Sequence, residues 1–122
     1  MAEKTLKWFK VADDLQSIDW QSNNLALVDV GGRKITLARK DNRVFACAHK
    51  CPHASGIFVD GFIDAVGNIV CPLHRYKFSL VNGRNVSGEG YYLKVYGIEE
   101  RESGIFVGFE DNNLFSLLGR IT

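Results

Sequence analysis

Apolar residues along this chain fall in segments of four to eight, separated every few residues by Gly, Asn or Asp pairs, the punctuation of an all-β protein. Residues 25–30 (LALVDV) and 33–39 (RKITLAR) flank Gly31-Gly32, and Asp41-Asn42 leads into 43–48 (RVFACA), which predicts two tight hairpins in succession. Further on, 62–64 and 68–70 flank a turn at 65–67, and 76–80 runs into Asn82-Gly83. The stretch 91–100 is expected to pair with 105–109 across Glu102-Ser103-Gly104. Ile35 and Leu37 alternate with Lys34, Thr36 and Arg39, which predicts a strand with one buried face. Helix signals are few. Asp13 with Gln16 three residues on reads as a capping box for about one turn, and 114–118 (LFSLL) before Gly119 suits either a short helix or a last strand. From Cys47 to about Lys77 the turn rhythm is interrupted by two loops, which hold every Cys and every His.

Length and charge narrow the function. A chain of 122 residues predicts a single domain, 1–122, with no room for a separate catalytic one. The 15 basic residues nearly cancel the 14 acidic ones, so no nucleic acid is demanded as partner. No apolar run approaches the roughly 18 residues of a membrane span, and the opening MAEKTLKWFK does not read as a secretory signal. Three cysteines in such a chain argue against a disulfide framework and for ligand or redox chemistry in a reduced, cytoplasmic compartment.

The two loops read Cys51-Pro52-His53 and, after seventeen residues, Cys71-Pro72-Leu73-His74. The only two prolines of the chain each follow one of these cysteines. Two thiolates and two imidazoles form a set suited to zinc or to an iron-sulfur centre, not to calcium or magnesium. Each loop supplies one ligand of each kind. A ligand two residues along an extended chain can reach roughly 7 Å further, so the arrangement suits a two-iron centre, with both sulfurs on one iron and both nitrogens on the other. A structural zinc site is the alternative. A competing word, Cys47-Ala48-His49, leaves 21 residues before Cys71 and lacks the proline. Cys47 sits in the apolar RVFACA and is expected to be a small buried hydrophobe, with His49 a polar contact near the site.

These residues resemble the paired ligand loops of the Rieske 2Fe-2S proteins, specifically the soluble Rieske-type ferredoxins. The resemblance extends to Tyr76-Lys77-Phe78-Ser79 and Asn82-Gly83 after the second loop. It implies an all-β fold, an antiparallel β-sandwich or barrel basal domain with a two-loop cluster-binding subdomain inserted at about 48–80; the tail from about 111 to 122 is not diagnostic. It also implies one 2Fe-2S cluster, with Cys51 and Cys71 on one iron and His53 and His74 on the other. High-potential members carry an extra cysteine in each loop and a serine and tyrosine that bond the cluster. Here 54–57 and Leu73 supply no cysteine, Arg75 and Tyr76 stand at the Gly-Ser positions and Phe78 at the tyrosine, which implies a low potential for the class. The implied role is that of a one-electron carrier, not an enzyme, working with redox proteins such as a reductase, an oxygenase or another acceptor. A small subunit of a larger, nitrite-reductase-like enzyme is the second redox role. Lys50, Arg75 and Lys77 beside the ligands are placed to steer an acidic partner, and Asn85-Val86-Ser87 matches a glycosylation pattern that reads as coincidence in such a chain.

Overall fold

A computed structural model describes residues 5–53 and 56–111, and among these residues nine strands form, every pair of them antiparallel. The strands are β1 (Thr5–Ala12), β2 (Leu25–Val30), β3 (Arg33–Lys40), β4 (Arg43–Ala48), β5 (Phe62–Ile63), β6 (Asn68–Val70), β7 (Lys77–Ser79), β8 (Val95–Arg101) and β9 (Gly104–Asp111). Six of them form one sheet in the order β1-β9-β8-β4-β3-β2, and β5-β6-β7 form a second. The expected hairpins are present. Val30 pairs with Arg33 across Gly31-Gly32, whose φ values of 60° and 86° suit glycine, and Lys40 pairs with Arg43 across Asp41-Asn42 at φ 52° and 63°. In the last hairpin Arg101 pairs with Gly104, so the turn is Glu102-Ser103 and Gly104 belongs to the strand.

Three expectations need correction. From Thr5 on, the opening segment, read only for its charge, forms the edge strand β1, and Thr5–Ala12 pairs with β9; charges on its open side are tolerated because an edge strand faces water. The one-turn helix exists as a 3-10 turn at Leu15–Ser17, one residue later than the capping box predicts. Its N-cap is Asp14, whose Oδ1 accepts from the Ser17 N–H at 2.9 Å, while the Asp14 N–H donates to Ser17 Oγ at 3.2 Å. Asp13 instead pairs with Lys10 at 2.7 Å. The segment 114–118 lies outside the described residues.

The third correction concerns β3, which is buried on both faces from Ile35 through Ala38. On one face Ile35 and Leu37 pack with Ala26 and Val30 of β2, Val44 and Ala46 of β4, and Ile105 and Val107 of β9. Val11 and Ala12 of β1 close against the same core, so strands from both edges of the sheet meet there and the sheet curls toward a barrel. On the other face Leu25, Ala38 and Cys47 pack with Phe58, Ile69, Phe78, Leu80 and Leu93, together with Cys51 and Cys71. Alternation fails as a guide here because a second layer covers the face that water would otherwise wet. Polar ties reinforce the join: Gln21 Nε2 and Asn23 Nδ2 donate to the Val59 carbonyl at 2.7 and 3.0 Å, and Asn23 Nδ2 also to that of Gly61 at 3.0 Å.

Candidate metal centre

Each loop is closed at its cysteine by the same device. The Cys51 N–H donates to the Gly56 carbonyl at 2.8 Å, and the Cys71 N–H to the Tyr76 carbonyl at 2.9 Å, in both cases the fifth residue on. The first loop follows β4 and is further held by Phe58 N–H to the His49 carbonyl at 3.1 Å. The second leaves β6 and re-enters β7 through Arg75, whose φ of 61° makes the tight return. Proline after each cysteine fixes one φ and removes one N–H, so the loop amides have fewer ways to close.

The two loops present their side chains to one another. One donor atom each from Cys51, His53 and Cys71 lies within 4.8 Å of the other two. His53 Nδ1 is 2.7 Å from Cys51 Sγ, while His74, the fourth expected residue, stands outside that group and meets it through His53, its Nδ1 2.9 Å from His53 Nε2. The sulfurs are at the buried end, Cys51 and Cys71 both in the core, whereas His53 is half-buried and His74 exposed. Gly56 keeps the cysteine end tight: a Cβ there would stand 2.6 Å from Cys71 Sγ. Cys47 is apart from this group, on β4 and fully buried, and burial pushes its thiol up to about 12. No disulfide joins the three cysteines.

The profile of the Rieske [2Fe-2S] domain matches residues 7–93. The chain belongs to the Rieske [2Fe-2S] family. The ferredoxin component of the alkene monooxygenase system of Xanthobacter autotrophicus (strain ATCC BAA-1158 / Py2) is 24% identical over 105 residues, 80% of this chain and 85% of its own length. Among solved structures, the ferredoxin of carbazole 1,9a-dioxygenase from Nocardioides aromaticivorans IC177 matches with a TM-score of 0.70 at 23% identity, over 83% of this chain and 96% of its own. A protein assigned as an NADH-dependent nitrite reductase small subunit from Mycobacterium tuberculosis matches with a TM-score of 0.70 at 18% identity, over 86% and 96%.

The residues present fit the Rieske cofactor, a 2Fe-2S cluster. Two soft sulfur donors lie at the buried end with an imidazole beside them, donor types that a Rieske centre uses. Phe78 is fully buried edge-on to Phe58 and brings no hydroxyl. His49 is half-buried beside the first loop. Its Nδ1 is buried without a hydrogen-bond partner among the described residues, and burial with the charges of Lys34 and Lys50 holds its pKa below the usual histidine value, against the pull of Asp60. Lys50, Arg75 and Lys77 are exposed around the site as expected. Sequence reasoning missed Tyr91. It lies seventeen residues beyond His74 in a Gly-rich segment, and nothing in the ligand motif points to it.

Proposed function

We propose that this chain is a one-electron carrier of the Rieske ferredoxin type, with Cys51 and Cys71 as ligands of one iron and His53 and His74 of the other. The observation that carries the reading is the convergence of the two loops, with thiol, thiol and imidazole within 4.8 Å and the second imidazole 2.9 Å from the first. The bound cluster supplies reversible one-electron chemistry, and neutral imidazoles in place of two thiolates make the added electron easier to accept. The protein does the rest. The core holds the cysteine sulfurs away from water, the loop hydrogen bonds hold their spacing, and the histidines bring the electron to the surface.

The domain spans residues 1–122 in this reading, with the cluster-binding part at about 48–80 and redox proteins as partners. The Xanthobacter relative, covering 85% of its own length, favours service to an oxygenase, with a reductase as donor. A reducing, cytoplasmic setting belongs to the same reading, and no helix among the described residues is long and apolar enough to cross a membrane.

Metal analysis of the purified chain tests the reading: about two iron and two acid-labile sulfides per chain are expected, and Cys71→Ser should abolish the visible absorption while Cys47→Ser keeps it. A colourless protein with one zinc, or the reverse result for the two cysteines, would overturn it.

A further inference from the structure

The loop between β6 and β7 lays an aromatic residue on the imidazole of His53, and the loop between β7 and β8 adds a second ring behind it. The Tyr76 ring stacks on that of His53 with centroids 3.8 Å apart and planes 28° from parallel. Tyr91 lies beyond it, 6.1 Å from Tyr76 at 29° and 5.7 Å from His53. His74 is treated differently: its ring is 6.0 Å from Tyr76, tilted by 46°, and remains exposed.

Tyr91 is held there by a built loop. Asn85 Nδ2 donates to the Lys77 carbonyl at 3.1 Å and to Glu89 Oε1 at 2.9 Å, and Asn85 Oδ1 accepts from the N–H groups of Glu89 and Gly90. Ser87 Oγ accepts from the Lys77 N–H at 2.9 Å and is bonded to Glu89. On the far side, Tyr92 bridges to Arg84, the Leu93 N–H donates to the Gly83 carbonyl at 2.9 Å, and Leu93 enters the core. The Asn-x-Ser pattern of residues 85–87 is thus spent on the loop's own hydrogen bonds, with both side chains turned to backbone and to Glu89.

We propose that Tyr91, acting through Tyr76, is a positioning residue for His53: the two rings fix that imidazole, keep water from its covered face, and leave His74 as the open edge of the site. The proposal rests on the assignment of His53 and His74 as ligands. Its consequence for redox chemistry has a definite sign. Reduction adds one electron and breaks no bond, so the reduced site carries one more negative charge, which water stabilises and a dry aromatic cover does not. The cover therefore lowers the midpoint potential.

The experiment uses the full chain with its cluster, and iron, sulfide and the visible spectrum are read first. Absence of a two-iron centre there overturns the ligand assignment itself, a failure distinct from failure of the cover. With the cluster present, Tyr91→Ala is expected to shift the midpoint potential upward in a dye-mediated titration and to change the g values of the reduced protein. Tyr91→Phe, which keeps the ring, should match the wild type in both. Diethyl pyrocarbonate labelling mapped by peptide mass should modify His74 several-fold faster than His53, and the difference should close in Tyr91→Ala. Asn85→Ala frees the loop without removing the ring and should move the same readings in the same direction; it decides the matter if Tyr91→Ala loses its cluster. Unchanged potential and g values in the cluster-bearing variant, or equal labelling of the two histidines in the wild type, would overturn the proposal.

Discussion

Thr36 on β3 pairs with Cys47 on β4, and both are completely buried at the face where the sheet meets the ligand loops. The Thr36 hydroxyl has no hydrogen-bond partner among the described residues. A buried hydroxyl without a partner costs on the order of 1–3 kcal/mol, and Val has nearly the same shape. Thr36→Val is therefore expected to stabilise the fold by about 1 kcal/mol, read as a higher denaturant midpoint at unchanged slope.

Cys47 makes a pH prediction. Its thiol pKa is raised to about 12 by burial, so the stability linked to its neutral form is complete below the unfolded value near 9 and is lost as pH rises toward about 12. Cys47→Ala lacks this dependence and is less stable at neutral pH because it leaves a void. The stability gap between the wild type and Cys47→Ala should narrow with rising pH across that window, by at most about 1.4 kcal/mol for each pH unit, in denaturant titrations run in parallel. A constant gap would show that the thiol ionises while folded.

Asp64 organises the turn between β5 and β6. Burial alone would raise its pKa, but the N–H groups of Asn68 and Val66, the Asn68 side-chain amide and the charge of Lys77 outweigh it and hold the carboxyl below its usual value. A depressed folded pKa contributes stability above the unfolded value of about 3.8 that is lost as pH falls through the folded one. Asp64→Asn should thus be less stable than the wild type at neutral pH, and the difference should shrink on acidification below about pH 4, as followed by thermal unfolding.

Gly56 offers a steric test of the centre. A methyl group there meets Cys71 Sγ at 2.6 Å and the Leu73 side chain at 3.2 Å. Leu73 is exposed and can give way, but Cys71 is fully buried and cannot do so freely. Gly56→Ala is expected to destabilise by roughly 1–3 kcal/mol and to lower the iron bound per chain. Normal iron content and stability would mean that the cysteine end of the loops is looser than its packing indicates.

Several features were legible in the chain itself because they depend on local chemistry. Hairpins at Gly31-Gly32 and Asp41-Asn42 follow from which residues accept positive φ, and the burial of Cys47 follows from its apolar strand. The nature of the site was readable because thiol and imidazole at fixed spacing are chemically rare, whatever surrounds them. Tertiary structure alone decided the rest. Neither the pairing of β1 with β9 nor the double burial of β3 can be inferred locally, because each depends on a surface supplied by distant residues. Alternation in 33–39 reports one buried face, and the second appears only when Phe58, Phe78 and Leu93 fold over it. Likewise the motif treats His53 and His74 as equivalent. What separates them is the Tyr76 ring, stacked on His53 and only tilted toward His74, with Tyr91 behind it on a loop that Asn85 and Ser87 close, and contacts across that span of chain exist only once the loops are packed.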